Sequence, residues 1–151
     1  MLTDKERQLI IALRRSEVDN VHQVAKKSNT PKSTLYDLLH RLEEKEIIKT
    51  HVAIAFEKIG YPLRIFFIAK TSAVQKELLK KYLLNQKNIN TIHTVNRGNN
   101  FHFEALFRNQ KEVEEFLEQL EEHNALEQLS AYNVLETLQH EQFLTAEEHF
   151  Q

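Results

Sequence analysis

The sequence predicts an α+β chain in two parts, a small helical module that ends in a strand and, after it, a sheet domain of βαββαβ order. Three observations predict this. Two amphipathic helical stripes lie on either side of a sharp break between residues 20 and 49. Gly60-Tyr61-Pro62 concentrates one of only two glycines and one of only two prolines in the chain. Beyond it the apolar period alternates between two and 3.6 in the order strand, helix, strand, strand, helix, strand.

The first element is set by Thr3-Asp4-Lys5-Glu6, a capping box in which the Thr hydroxyl and the Glu carboxylate each satisfy the other's end of the helix. Leu9, Ile10 and Leu13 form its buried face, and the helix is expected to end near Ser16. Val21, Val24 and Ala25 begin a second helix, whose period stops at Ser28-Asn29; Asn tolerates the left-handed conformation a reversal needs. Thr30 and Pro31 then restart a helix, with a hydroxyl at the N-cap and a proline at the first position, where its missing N–H costs nothing. Leu35, Leu38, Leu39 and Leu42 make one apolar stripe on it, while Ser33, Tyr36, Asp37, His40 and Arg41 point the other way. The β-branched run from Ile47 to Ile54 reads as a strand, the first part of a wing. Residues 1–54 therefore read as a winged helix-turn-helix, and residues 55–62 as a hinge or linker strand.

Residues 63–139 carry the sheet pattern. Leu63–Thr71 is a strand with apolar residues on both faces, which predicts that both faces are covered. Val74, Leu78, Leu79, Tyr82 and Leu83 mark a helix, Ile89–Val95 a second strand, and Arg97-Gly98-Asn99-Asn100 a turn. Phe101, Phe103, Ala105 and Phe107 alternate with His102, Glu104, Leu106 and Arg108 in a third strand. Val113, Phe116, Leu117 and Leu120 mark a helix, and Leu129–Leu138 a last strand. This order is ferredoxin-like, with both helices on one side of an antiparallel sheet. Phe66, Ile68, Leu106, Tyr132 and Val134 lie in the strands, and some must point to the open side, where self-association would hide them. Residues 140–151 form an acidic tail.

Composition narrows the function. No apolar run approaches 18 residues, and the N-terminus mixes charges rather than forming a secretory core, so a cytoplasmic protein without membrane attachment is expected. The absence of cysteine excludes disulfides, thiolate zinc sites and cysteine nucleophiles. Net charge is −2, but residues 1–51 hold ten Lys/Arg against eight Asp/Glu, and the remainder ten against fourteen. A mildly basic N-terminal half has the sign expected of a module that reads DNA, and its small size points to more than one copy per site. Two glycines leave little room for a phosphate-cradling loop or a nucleophile elbow, so no enzyme activity and no cofactor are expected. His93 and His102 would face one another across neighbouring strands, but no helical His or Glu-His motif accompanies them and no metal site is expected.

The domain order and three short motifs resemble the Lrp/AsnC family of leucine- and asparagine-responsive transcription regulators. The motifs are Leu2-Thr3-Asp4 with Gln8-Leu9-Ile10, then Pro31-Lys32-Ser33-Thr34-Leu35-Tyr36, then Arg41-Leu42-Glu43-Glu44-Lys45-Glu46-Ile47-Ile48, with Glu46 where the family usually has glycine. The resemblance spans residues 2–138. It implies a homodimer, often assembled into octamers, that binds double-stranded DNA in the nucleoid through paired reading helices. It also implies an amino acid effector held near a turn of the type Gly-x-Tyr-Asp. Here Gly98 is followed by Asn99, Asn100 and Phe101, so the aromatic-acidic pair is absent.

The DNA-contacting candidates are Lys32, Ser33, Thr34, Tyr36, Asp37, His40, Arg41 and Lys49, with Lys26 and Lys27 as further phosphate contacts. A helix N-terminus attracts phosphate, and Arg or short polar side chains reach base edges. Each also has an ordinary role: Ser33 and Thr34 as capping residues, Arg41 as the ion-pair partner of Asp37 or Glu44, Tyr36 and His40 as half-buried packing. The effector-binding candidates are Gly98, Asn99, Asn100 and His102. Two other functions fit the same pattern, a ligand-sensing assembly protein without DNA binding and an architectural DNA-compacting protein.

Overall fold

The structure, a computed structural model, describes residues 2–15, 21, 24–26, 30–49, 53–95, 100–123 and 125–150. They fall into two compact units, Met1–Val52 together with Thr137–Gln151, and Ala53–Glu136.

In the first unit, helix α1 spans Asp4–Arg14 and helix α2 spans Lys32–Glu44. The capping box of α1 is present. The Glu6 N–H donates to Thr3 Oγ1 at 3.3 Å, and the Thr3 N–H donates to Glu6 Oε2 at 2.7 Å. The Thr3 N–H and the Thr3 hydroxyl, which donates to the same Oε2 at 3.0 Å, hold the Glu6 carboxyl below its usual pKa, assisted by the positive charges of Lys45 and Arg41. Residues 21 and 24–26 are helical, while Ser16, Lys27, Ser28 and Asn29, which carry the expected end of the first helix and the reversal, lie outside the described residues. Helix α2 begins one residue later than expected: Pro31, not Thr30, is its N-cap, because the first helical bond runs from the Leu35 N–H to the Pro31 carbonyl. Thr30 is instead buried, its N–H donating to the Ala25 carbonyl.

Leu9, Ile10, Leu38 and Leu42 form the core of this unit, joined by Leu13, Val21, Leu39, Ile48, Leu144 and Phe150. The segment expected as an acidic tail thus supplies part of the packing. The Arg14 guanidinium donates to the Glu141 carbonyl, the Arg15 Nε donates to the Thr145 carbonyl, and the Arg7 guanidinium lies 5.8 Å from the centre of the Phe150 ring.

The expected wing strand over 47–54 is not formed at residues 47–49 or 53–55, and Thr50, His51 and Val52 lie outside the described residues. The reason is local. Glu46 turns the chain with a φ of +54°, and the N–H groups of Ile47 and Ile48 both donate to the Leu42 carbonyl at the end of α2. Those donors close the helix instead of entering a ladder.

The second unit opens with a 3-10 turn at Phe56–Ile59, within the segment expected as a linker strand. Gly60 ends it in the left-handed region, at φ +94°, where a side chain would be strained. Strands β1 (Leu63–Thr71), β2 (Ile89–Val95), β3 (Asn100–Phe107) and β4 (Leu126–Asn133) form one sheet in the order β2-β3-β1-β4, with every pairing antiparallel. Helices α3 (Lys76–Leu84) and α4 (Gln110–His123) complete the βαββαβ order. Both helices cover the same face, since Leu79, Leu83, Val113, Phe116 and Leu120 share one cluster with Phe67, Phe101, Phe103 and Phe107.

Three expectations are corrected here. Val74 and Leu78 do not belong to the buried stripe of α3 and are 89% and 56% exposed, because Val74 precedes the helix and the helix turns only Leu79 and Leu83 fully inward. The last strand runs over 126–133 rather than 129–138: β1 begins at Leu63, and its Arg64 carbonyl accepts its last bond from Val134. The second face of β1 is left open among the described residues, where Ile68 is 40% and Tyr132 of neighbouring β4 57% exposed.

Candidate DNA-reading face

Helix α2 is amphipathic because its leucines recur every three or four residues. Leu35, Leu38 and Leu42 are buried, which turns Ser33, Tyr36, Asp37, His40 and Arg41 outward. Lys32, Thr34 and Lys49 are exposed as well, so all eight candidate DNA contacts lie on the surface. Tyr36 is half exposed. His40 Nδ1 sits 3.5 Å from Glu43 Oε2, an ion pair when the ring is protonated. Thr34 and Arg41 line one surface cavity together with Thr3, Glu6 and Thr30, so α1 and α2 jointly shape the ground around the start of the helix. The positive end of α2 and the cations Lys32 and Arg41 give this face an anion-attracting character, opposed by Asp37. Lys26 is also exposed; Lys27 lies outside the described residues.

The effector candidates divide. Gly98 and Asn99 lie outside the described residues, as does Arg97 of the same turn. Asn100 and His102 lie at the start of β3, both half-buried. His102 pairs with His93 across β2, their ring centres 6.3 Å apart, and Phe66 approaches the His102 ring at 5.3 Å. Among the described residues no cluster of three or more His, Cys, Asp or Glu is arranged to hold a metal ion.

Sequence reasoning missed a polar network on the helix-free face of the sheet. Glu104 is only 5% exposed although it alternates away from the helices. Its Oε2 accepts from Arg64 Nε at 2.6 Å, and its Oε1 accepts from Asn90 at 2.6 Å. The signal was a lone carboxylate in the middle of an otherwise apolar strand, which must find partners if buried. Among the described residues no helix is long and apolar enough to cross a membrane.

This two-unit α+β architecture is shared by solved transcription regulators. No family model matches the chain. A transcriptional regulator from Neisseria meningitidis, solved with L-Met, superposes with a TM-score of 0.78 at 14% identity, covering 93% of this chain and 94% of that one. LrpC of Bacillus subtilis gives 0.76 at 16% identity over 92% and 98%. AsnC of Escherichia coli gives 0.77 at 12% identity over 93% and 96%. By sequence, an uncharacterized HTH-type transcriptional regulator of Pyrococcus furiosus is 21% identical over 120 residues, 79% of this chain and 81% of the relative. The chain has the fold of Lrp/AsnC regulators.

Proposed function

We propose that the chain is a sequence-specific DNA-binding transcription regulator of the Lrp/AsnC type that acts as a homodimer or a higher assembly such as an octamer. In this reading residues 1–54 are a helix-turn-helix module, residues 63–139 a ferredoxin-like assembly domain, and the protein is a cytoplasmic, nucleoid-associated non-enzyme. The observation that carries it is the free polar face of α2 opposite buried Leu35, Leu38 and Leu42. Lys32 and Lys49 hold phosphates, Ser33 and Thr34 serve the first helical turn, and Tyr36, Asp37, His40 and Arg41 face base edges. One mildly basic module neutralises few phosphates, so two linked modules supply the affinity. The outward sheet residues Ile68 and Tyr132 are where a second copy would bury apolar surface. An amino acid effector is proposed because the Neisseria relative was solved with L-Met.

Selection of bound duplexes from a random pool tests this reading. The expected product is a partly palindromic site whose affinity falls steeply with added salt. The double substitution Ser33→Ala/Arg41→Ala removes the site preference and leaves the fold intact. If the double variant footprints like the parent, another surface reads the DNA.

A further inference from the structure

Residues 137–151 belong to the first unit, although the whole sheet unit lies between them and α2 in sequence. Their contacts with that unit are of two kinds. Leu144 and Phe150 are half-buried against the core of Leu9, Ile10, Leu38 and Leu42. Three arginines of the α1 segment hold the backbone and the last ring. The Arg14 guanidinium donates to the Glu141 carbonyl at 3.0 Å and lies 3.5 Å from the Glu141 carboxylate. Arg15 Nε donates to the Thr145 carbonyl at 2.9 Å, and a 3-10 turn at Glu147–Phe150 presents the Phe150 ring 5.8 Å from the Arg7 guanidinium.

Two of these contacts are made by strained backbone. Glu141 and Leu144 have φ values of +50° and +63°, a region that residues with a side chain keep when their surroundings hold them in it. One supplies the carbonyl that Arg14 grips, and the other supplies the side chain that enters the core. Within the segment, the Thr145 hydroxyl donates to the Gln142 carbonyl at 2.7 Å and the His149 N–H to the Ala146 carbonyl at 3.2 Å. Each of those bonds spans three residues and can form whether or not the segment is docked. Detachment therefore relaxes two residues and sacrifices the contacts with α1. Exposed ion pairs contribute little, so Leu144 and Phe150 do most of the holding, and the strain works against them.

We propose that residues 137–151 are a releasable clasp on the helical unit. Docked, the clasp completes the core against which Leu38 and Leu42 seat α2, and the exposed face of that helix is held rigid. Released, it takes Leu144 and Phe150 out of the core, and α1 and α2 loosen together. Opposed terms of this kind make a local opening with a smaller free energy than unfolding of the unit. The clasp stands on contacts within the first unit; its consequence, that docking favours DNA binding, rests on the regulator reading.

The test uses full-chain variants, with two readouts. Release is read as cutting by endoproteinase Glu-C after Glu147 or Glu148, located by mass spectrometry, while the amides of α1 and α2 stay protected from exchange. Glu141→Gly, which keeps the carbonyl and removes the strain, is expected to slow that cutting about three-fold. Arg15→Ala, an exposed change that removes one charge-assisted hydrogen bond, is expected to speed it about three-fold. The second readout is amide exchange, where Phe150→Ala should speed α1 and α2 together by about ten-fold and leave β1 and β3 unchanged. Cutting that occurs only as α1 loses protection, or outright unfolding of the first unit by Phe150→Ala, would make the segment a fixed part of the core and overturn the clasp. So would faster cutting in Glu141→Gly, or exchange in α1 and α2 that Phe150→Ala leaves unmoved. Duplex affinity of the same variants reports separately: a parent chain that binds no DNA but gives the expected cutting and exchange overturns the regulator reading and upholds the clasp.

Discussion

The two units are held together by different kinds of core. The first rests on a few aliphatic side chains, Leu9, Ile10, Leu38 and Leu42, with partly buried neighbours including Leu144 and Phe150. The second is built on phenylalanine: Phe67 stacks on Phe103 at 5.0 Å and meets Phe107 and Phe116 at 6.5 and 5.4 Å. Aromatic pairs in such geometries contribute beyond the area they bury. The comparison teaches where rigidity is placed. The sheet unit is the scaffold, and the helical unit is a light module whose one apolar stripe turns the polar face of α2 outward.

The largest effect should follow from opening the aromatic core. Phe67→Ala is expected to destabilise the protein by about 3–5 kcal/mol in chemical denaturation. Leu42→Ala, at an equally buried position, is expected to cost about 2–5 kcal/mol and to raise amide exchange through α2. If Leu42→Ala proves costlier than Phe67→Ala, the contrast between scaffold and light module fails.

Smaller effects probe the helix ends of the first unit. Glu46 holds a left-handed φ where the related family usually has glycine, and Glu46→Gly should therefore stabilise by about 1 kcal/mol, read as a higher denaturation midpoint. A loss of stability there would show that the Glu46 side chain contributes more than its backbone costs. The Thr3 hydrogen bonds lower the pKa of Glu6 in the folded state. A depressed carboxyl pKa stabilises fully above the unfolded value of about 4.3, and the contribution disappears as pH falls through the lower folded value. Thermal melts from pH 6 down should therefore show an acid-side loss that Glu6→Gln flattens. An unchanged slope in Glu6→Gln would leave the capping box without an electrostatic share in the module's stability.

The smallest stability effect belongs to the proposed reading face. Ser33→Ala/Arg41→Ala should change stability by no more than about 0.5 kcal/mol, since both side chains are exposed, while the effect on DNA recognition is large. A stability loss well above that would return both residues to a structural role. It would blur the division between a buried stripe that folds and an exposed stripe proposed to read DNA.

The strands that begin and end in strongly patterned sequence were legible almost to the residue. Leu63–Thr71 and Ile89–Val95 follow from apolar period and flanking punctuation, and the Thr3–Glu6 box follows from hydrogen-bond chemistry within four residues. Where the sequence misled, a local pattern lost to a distant partner or a competing cap. Ile47 and Ile48 have strand propensity, but their N–H groups close α2 on the Leu42 carbonyl. The expected strand ran on to Leu138, but with Asn133 opposite Ile65 the register reaches the first residue of β1 at Leu135, and β1 has no residue opposite 136–138. The terminal segment looked acidic and open, and it packs Leu144 and Phe150 onto α1 and α2.

The candidate sites divide along the same line. The outward set on α2 could be named from the 100° step alone, because a helix's two faces are determined by spacing once one stripe is apolar. The docking of residues 141–150 on α1 could not. It joins Arg7, Arg14 and Arg15 to Phe150, Glu141 and Thr145, and no spacing rule relates them. Sequence by itself determined the two faces of α2, the Thr3–Glu6 cap and the order of strands and helices along the sheet unit, since each depends on contacts within a few residues or on a repeating period. Only the tertiary structure decided which carboxylate is buried, which strand ends are left unpaired, and where Arg15 finds Thr145, because these depend on residues brought together across long stretches of chain.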